Sequence, residues 1–75
     1  MRENITKFIE SQLLGGKHVV NGDTDLLISG LIDSMGVMRL VGFIEEKLQH
    51  TVPAEDVTLE HFATVDTICS YLESR

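Results

Sequence analysis

The sequence predicts an all-α domain: a small bundle of three main helices and one short helix, with a long loop between the first two main helices. Apolar residues recur at helical spacing in three separate segments, and no segment alternates apolar and polar residues as a half-buried strand does. Of the 75 residues, 43% are hydrophobic and 24% are charged, a composition typical of a folded globular domain. We therefore expect a single domain over residues 1–75, with a core too small to enclose a deep active-site cleft.

The first main helix is predicted to run from Glu3 to Leu14. Its apolar residues share one helical face: Ile5, Phe8, Ile9 and Leu13. Asn4 is a residue type that favours the N-cap position, and Gly15-Gly16 can adopt the left-handed backbone with which many helices end. The sequence therefore predicts a helix that is capped by Asn4 and stopped by the two glycines.

The segment from residue 15 to residue 33 is rich in Gly, Asn, Asp and Ser and is predicted to be a long loop. A short apolar run, Leu26-Leu27-Ile28, interrupts it, and we expect this run to hold the loop against the core. Long connections of this kind are uncommon in compact domains and are often functional. The place where the loop ends, at Asp33-Ser34, is therefore a candidate site.

The second main helix is predicted to run from Ser34 to Leu48. Four apolar residues form a stripe along it: Val37, Val41, Ile44 and Leu48. Pro53 ends the region that follows, and Thr58 is a suitable N-cap for a short helix over Leu59–Phe62.

The last main helix is predicted to begin after Thr64, a second suitable N-cap. Its apolar residues again follow helical spacing: Val65, Ile68, Cys69 and Leu72. Because Cys69 lies four residues after Val65, we expect its thiol to be buried as a small hydrophobic group without a chemical role.

The acidic composition narrows the classes of partner. Twelve Asp and Glu against six Lys and Arg give a net charge of -6, which repels nucleic acids and anionic lipid surfaces. We therefore expect no nucleic acid and no membrane as partner, but proteins with basic docking patches. A lone cysteine and an N-terminal segment without a signal-peptide apolar run predict a cytoplasmic protein, which we take to be a monomer.

Asp33 and Ser34 stand where the long loop meets the second main helix. If Asp33 caps this helix, the Ser34 hydroxyl lies at its first turn. Free backbone N–H groups and the positive end of the helix dipole stabilise a phosphate ester at such a place, and the small Gly36 leaves space beside it. Ser and Asp are also common at helix starts simply as caps, so the local chemistry leaves both interpretations open.

The motifs around this pair follow one another in a specific order. They are DTDLL at 23–27, SGLIDSMG at 29–36, VGFIEEKL at 41–48, VPAEDVT at 52–58 and FATV at 62–65. In order and spacing, this set resembles the phosphopantetheine-binding family of acyl carrier and peptidyl carrier proteins. The resemblance extends over nearly the whole chain.

The resemblance implies that Ser34 is the attachment serine for a 4'-phosphopantetheine arm. A separate phosphopantetheinyl transferase would take the arm from coenzyme A, and Asp33 would help that enzyme to recognise the serine. The thiol of the arm would hold acyl or aminoacyl groups as thioesters and carry them from a loading ligase to downstream acyl-processing enzymes. On this interpretation the chain has no catalytic residue and is a carrier, not an enzyme.

The second main helix is also expected to present the partner-binding surface. Four residues on or near its exposed face are candidates: Met35, Met38, Arg39 and Gly42. An equally open alternative is that the two methionines pack inside the bundle. Fatty-acid-synthesis members of the family are more acidic just after the serine than this chain. The difference favours a freestanding carrier of a specialised pathway, such as nonribosomal peptide, polyketide or aminoacyl transfer.

A metal site is a weaker alternative. The segment 21–25 is similar to the first half of a calcium-binding EF-hand loop, but Leu26 and Ile32 stand where that loop requires Gly and Glu. We expect no metal. The three histidines lack the spacing of metal ligands and are expected at the surface: His18, His50 and His61.

Two other functions compete with the carrier. An unmodified helical protein-interaction domain accounts for the apolar stripes equally well, but it does not explain the loop that leads through residues 30–33 to Ser34. A hydrolase with Ser34 as nucleophile needs a Gly-x-Ser-x-Gly elbow and a substrate pocket. The sequence contains no such elbow, and the chain is too short for such a pocket.

Overall fold

The computed structural model describes residues 1–74, which contain helices and loops but no strand. The helices are α1 (Arg2–Phe8), which continues as a π-helical turn (Ile9–Leu13), α2 (Ser34–Leu48), the short α3 (Leu59–Phe62) and α4 (Val65–Glu73). A 3-10 turn at Ala54–Asp56, which the sequence did not predict, precedes α3. The predicted all-α bundle of three main helices and one short helix is confirmed.

The first helix begins earlier than predicted and ends where predicted. The Ile5 N–H donates to the Met1 carbonyl over 3.0 Å, so Asn4 lies inside the helix and its prediction as the cap is wrong. Met1 takes the N-cap position without a side-chain hydrogen bond. At the other end, Gly15 and Gly16 have φ values of 65° and 75°, the left-handed conformation expected of them.

One cluster of buried side chains joins the four helices and the long loop. Its fully buried large members are Ile5, Ile9, Leu26, Leu40, Ile44, Phe62, Val65 and Ile68. Val37 and Val41 are buried as predicted, but Leu48 is 37% exposed. Leu48 lies in the last turn of α2, where it faces an open groove shared with Met1 and Leu72, so this part of the predicted stripe is wrong.

The long loop is fixed to the core by Leu26. This side chain is fully buried, its N–H donates to the Ala63 carbonyl, and its carbonyl accepts from Ile32, each over 2.8 Å. Ile28, by contrast, is 75% exposed, so only part of the predicted apolar run holds the loop. The fixed loop brings the chain to the start of α2 in a defined direction.

Both threonine caps are confirmed. The Thr58 hydroxyl accepts a hydrogen bond from the His61 N–H at the start of α3. Thr64 and Thr67 form a reciprocal capping box at the start of α4. None of the helices within residues 1–74 combines the length and apolar character that crossing a bilayer requires.

Candidate functional site

Ser34 is the first residue of α2 and is exposed to solvent. Asp33 before it is the N-cap, with extended backbone angles, and its Oδ1 accepts the Gly36 N–H over 2.8 Å. The predicted capping role of Asp33 is therefore confirmed. The Ser34 hydroxyl makes no hydrogen bond within residues 1–74, so its oxygen is accessible for esterification.

The first turn of α2 supplies donors for an anion. The Val37 N–H is used by the Asp33 carbonyl and the Gly36 N–H by the Asp33 carboxylate. The N–H groups of Ser34 and Met35 have no acceptor within the described part of the chain, as is usual at a helix start. These donors and the positive end of the helix dipole favour a phosphodiester on the Ser34 oxygen, while the Asp33 carboxylate opposes it by charge.

Gly36 has a different role from the one that the sequence suggested. It is buried, and a Cβ atom at this position would lie 2.6 Å from Cγ2 of Ile32. Ile32 is itself only 4% exposed. The missing side chain therefore lets the end of the loop pack closely against α2, which fixes the backbone just ahead of Ser34, and the interpretation of Gly36 as space for a phosphate is corrected.

An apolar groove of about 470 Å³ opens beside Ser34, between the loop, α2 and α3. Its apolar lining consists of Leu27, Ile32, Val37, Met38, Val57, Leu59 and Phe62. Ser34 and Asp33 also line the groove. A flexible chain esterified to Ser34 therefore has both open solvent and an apolar surface within reach.

Comparison with known proteins decides the family. The family described as phosphopantetheine attachment site matches residues 11–72 of the chain. The chain belongs to this carrier family. Its prosthetic group is 4'-phosphopantetheine, and the exposed hydroxyl at the helix start fits such a group.

The carrier is similar to three curated relatives over almost its whole length. It is 36% identical over 73 residues to the D-alanyl carrier protein of Listeria monocytogenes serotype 4b (strain CLIP80459). The D-alanyl carrier protein of Listeria welshimeri serovar 6b is also 36% identical, and that of Listeria innocua serovar 6a is 33% identical. Each alignment covers 97% of this chain and 94% of the relative.

The candidate partner residues of the carrier lie on the exposed side of α2. Met35 is 74% exposed and Met38 is 61% exposed, so the alternative in which the methionines pack inside is wrong. Arg39 and Gly42 are exposed as well. Leu59 on α3, which the sequence did not single out, is 51% exposed and lines the groove together with Met38. From sequence alone, a single leucine after a capping threonine does not indicate that its side chain lines a surface groove.

Two side chains of the segment that is similar to an EF-hand loop form hydrogen bonds within the loop. Thr24 Oγ1 accepts the Asn21 N–H over 2.9 Å, and Asp25 Oδ1 accepts the Ile28 N–H over 3.0 Å. Both oxygens thus stabilise the loop itself. Over residues 1–74, no three or more His, Cys, Asp or Glu side chains come together as metal ligands would.

The histidines and the cysteine lie mostly as predicted. His18 and His50 are exposed, but His61 is only partly exposed. Its ring packs on Tyr71 with 4.5 Å between ring centroids, and its Nδ1 lies 2.8 Å from the Asp56 carbonyl oxygen. Cys69 is buried, and this burial raises the pKa of its thiol, which keeps it in the unreactive neutral form.

Proposed function

We propose that this chain is a freestanding D-alanyl carrier in which the Ser34 oxygen bears the 4'-phosphopantetheine arm. The observation that carries the proposal is the free, exposed hydroxyl of Ser34 at the first turn of α2, within the segment that matches the family. When bound, the arm supplies a thiol that forms a thioester with the cargo. Residues 1–75 act as one carrier domain on this proposal.

The other serines of the matched segment suit the role less well. The Ser11 hydroxyl donates to the Lys7 carbonyl over 2.7 Å, and the Ser29 hydroxyl donates to the Asp25 carbonyl over 2.6 Å. Ser70 is exposed, but it lies within α4, where the backbone N–H groups are used by the helix. Ser34 alone among these four combines an unpaired hydroxyl with the free donors of a helix start.

The proposed cargo, D-alanine, rests on the relatives and is narrower than the aminoacyl class that the sequence suggested. All three relatives described above are D-alanyl carrier proteins. The surface after Ser34 exposes Met35, Met38 and Arg39 rather than carboxylates. This supports a carrier that differs from the more acidic carriers of fatty acid synthesis.

Three kinds of enzyme are the proposed partners. A phosphopantetheinyl transferase attaches the arm, a ligase that activates the carboxyl group of D-alanine loads it, and a downstream enzyme receives the aminoacyl group. We assign their contacts to Met35, Met38, Arg39 and Gly42, with Leu59 across the groove, and transferase recognition to Asp33. The carrier contributes no catalytic residue of its own, and we place it in the cytoplasm as a monomer.

The cargo is tested by loading the phosphopantetheinylated chain with D-alanine, ATP and a D-alanine-activating ligase, and by measuring the intact mass. We expect one D-alanyl group on the wild type and on Ser70→Ala, and none on Ser34→Ala. Rapid loading of a Listeria D-alanyl carrier protein without loading of this holo-protein contradicts the cargo assignment. Such a result leaves the carrier role intact.

The role of Asp33 is tested by two substitutions that separate capping from charge. Asp33→Asn keeps an oxygen that caps α2, whereas Asp33→Ala removes it, at a cost of about 1 kcal/mol in the free energy of unfolding. We expect phosphopantetheinylation of Asp33→Asn to be slower by roughly ten-fold, because one charge-assisted contact with the transferase is lost. The free energy of unfolding of this variant is expected to be nearly unchanged. An unchanged rate for this variant shows that the transferase does not recognise the charge.

A further inference from the structure

The positive charges of this acidic protein are unevenly distributed. Of the five Lys and Arg within the described residues, Arg2 is paired with Asp66, and Lys17 lies in the loop after the first helix. The other three, Lys7, Arg39 and Lys47, lie on one face of the bundle, where α1 and its π-helical turn lie beside α2. We call this the α1–α2 face.

An aromatic pair forms the apolar part of the α1–α2 face. Phe8 and Phe43 stack with 4.4 Å between ring centroids and 17° between ring planes. Both are only partly buried. The Lys47 Nζ atom lies 5.7 Å from the centroid of Phe43, within the range of a cation–π contact. A shallow groove of about 270 Å³ crosses this pair, with Lys7 and Lys47 in its lining.

Among the described residues 1–74, no carboxylate lines this groove. The acidic residues of the same helices are Glu3, Glu10, Glu45 and Glu46. The Glu10 carboxylate accepts the Val20 N–H over 2.6 Å, and the Glu45 carboxylate accepts the Val52 N–H over 2.7 Å. Glu3 and Glu46 are exposed. Neither Lys7 nor Lys47 forms an ion pair with a carboxylate anywhere in residues 1–74, so both ammonium groups are available to a partner.

The α1–α2 face extends toward the Ser34 end of the molecule. Met35, Arg39, Phe43 and Lys47 follow one another at four-residue spacing, which places them along one side of α2. Arg39 Nη1 donates to the Gln12 carbonyl over 3.4 Å, which holds the guanidinium near the first helix. A partner that lies along this side can therefore contact the cations and still reach the residue next to Ser34.

We propose that the α1–α2 face binds a short acidic amphipathic segment of a partner protein. Its carboxylates pair with Lys7, Lys47 and Arg39, and an apolar side chain packs on the Phe8–Phe43 pair. A local segment suits this face better than a nucleic acid or a membrane. The net charge of -6 repels an extended polyanion, whereas a short segment senses mainly the charges within a Debye length of about 8 Å.

This inference does not depend on modification at Ser34, and a defined probe tests it. The probe is a short synthetic helix with Glu and Leu on one side, titrated into the isotope-labelled full-length chain and followed by NMR at about 0.15 M salt, where the Debye length is about 8 Å. We expect amide shifts at Lys7, Phe8, Phe43 and Lys47. A matched peptide with Gln in place of Glu is expected to lose most of the binding.

Charge-removing variants locate the binding. The double variant Lys7→Gln, Lys47→Gln is expected to bind the acidic peptide about five-fold more weakly, since each exposed ion pair contributes modestly. Lys17→Gln removes one lysine charge outside the α1–α2 face, and this variant is expected to bind the acidic peptide as tightly as the wild type does. Circular dichroism checks that all variants remain folded.

Several outcomes overturn the inference. They are equal binding of the Gln peptide, equal binding by the double variant, or shifts confined to the groove between α2 and α3. Binding of phosphatidylglycerol vesicles without binding of the acidic peptide shows that the α1–α2 face binds a lipid surface and not a protein segment. An absence of binding at about 0.15 M salt, with folded protein, also rejects it.

Discussion

Gly36 and Gly42 stand on the same helix and have opposite surroundings. A Cβ atom on Gly36 would meet Ile32 Cγ2 at 2.6 Å, whereas one on Gly42 would meet nothing within 4 Å. Gly36 is thus required by the packing of the loop against α2. Gly42 only lowers the helix propensity of an exposed position.

This difference predicts opposite effects of one substitution. We expect Gly36→Ala to lower the free energy of unfolding by about 1–2 kcal/mol, because the buried Ile32 must shift. Gly42→Ala is expected to raise it by roughly 0.5–1 kcal/mol. Urea denaturation measures both, and equal effects of the two substitutions contradict the packing assigned to Gly36.

Cys69 makes the stability depend on pH in the alkaline range. Burial raises the pKa of its thiol, so the folded state favours the neutral form. This contribution is fully present below the unfolded pKa of about 8.5 and is lost as the pH rises through the folded pKa. We expect Cys69→Ala to show a smaller decline in the free energy of unfolding above that pH, and identical slopes for both proteins contradict a buried thiol.

Residue types alone predicted some of these environments and not others. Asp33, Thr58 and Thr64 were identified as caps because their short oxygen-bearing side chains act on the adjacent backbone. The close contact of Gly36 with Ile32 could not be inferred, since it depends on the path of the loop. Exposure of Met35 and Met38 was also undecided, because flexible methionines suit both a core and a surface.

The long loop is the element that positions the site. Leu26 holds it to the core through its side chain and through the hydrogen bond from its N–H to the Ala63 carbonyl, while Ile28, two residues later, is largely exposed. The sequence predicted that this apolar run would fix the loop. It could not say which residue of the run points inward, because the loop has no regular period.

These two residues give a matched test of the loop. Leu26→Ala is expected to lower the free energy of unfolding by about 2–4 kcal/mol, since it leaves a cavity in the core. Ile28→Ala is expected to change it by less than about 0.5 kcal/mol, as at most exposed positions. Thermal or urea unfolding distinguishes the two, and a small effect of Leu26→Ala is evidence against its anchoring role.

The π-helical turn in the first helix was not predicted. The Leu14 N–H donates to the Ile9 carbonyl over 2.9 Å, five residues back, where an α-helix bonds four residues back. Apolar spacing at Ile5 and Ile9 is compatible with either geometry. Whether a turn is α-helical or π-helical depends on tertiary packing, whereas the existence of the helix follows from its apolar face.

At the scale of the molecule, the predicted surface was acidic overall, and its charge distribution was not foreseen. The sequence gives a net charge of -6, from which we expected partners with basic patches. The fold brings Lys7 from the first helix beside Lys47 from α2. Residues so far apart in sequence reveal a shared face only when the packing of the two helices is known.

The surrounding structure holds the start of α2 in a defined position. The loop anchored by Leu26, the cap and the close contact at Gly36 fix the backbone. Ser34 remains exposed, with its hydroxyl unpaired within residues 1–74. The family assignment establishes that the protein carries phosphopantetheine. The central claim is that Ser34 is the residue that bears it.

The most direct test is the intact mass of the protein after incubation with coenzyme A and a broad-specificity phosphopantetheinyl transferase. We predict a gain of one phosphopantetheine on the wild type and on Ser70→Ala, and no gain on a folded Ser34→Ala variant. Modification of Ser34→Ala to the same extent as the wild type contradicts the assignment of the site.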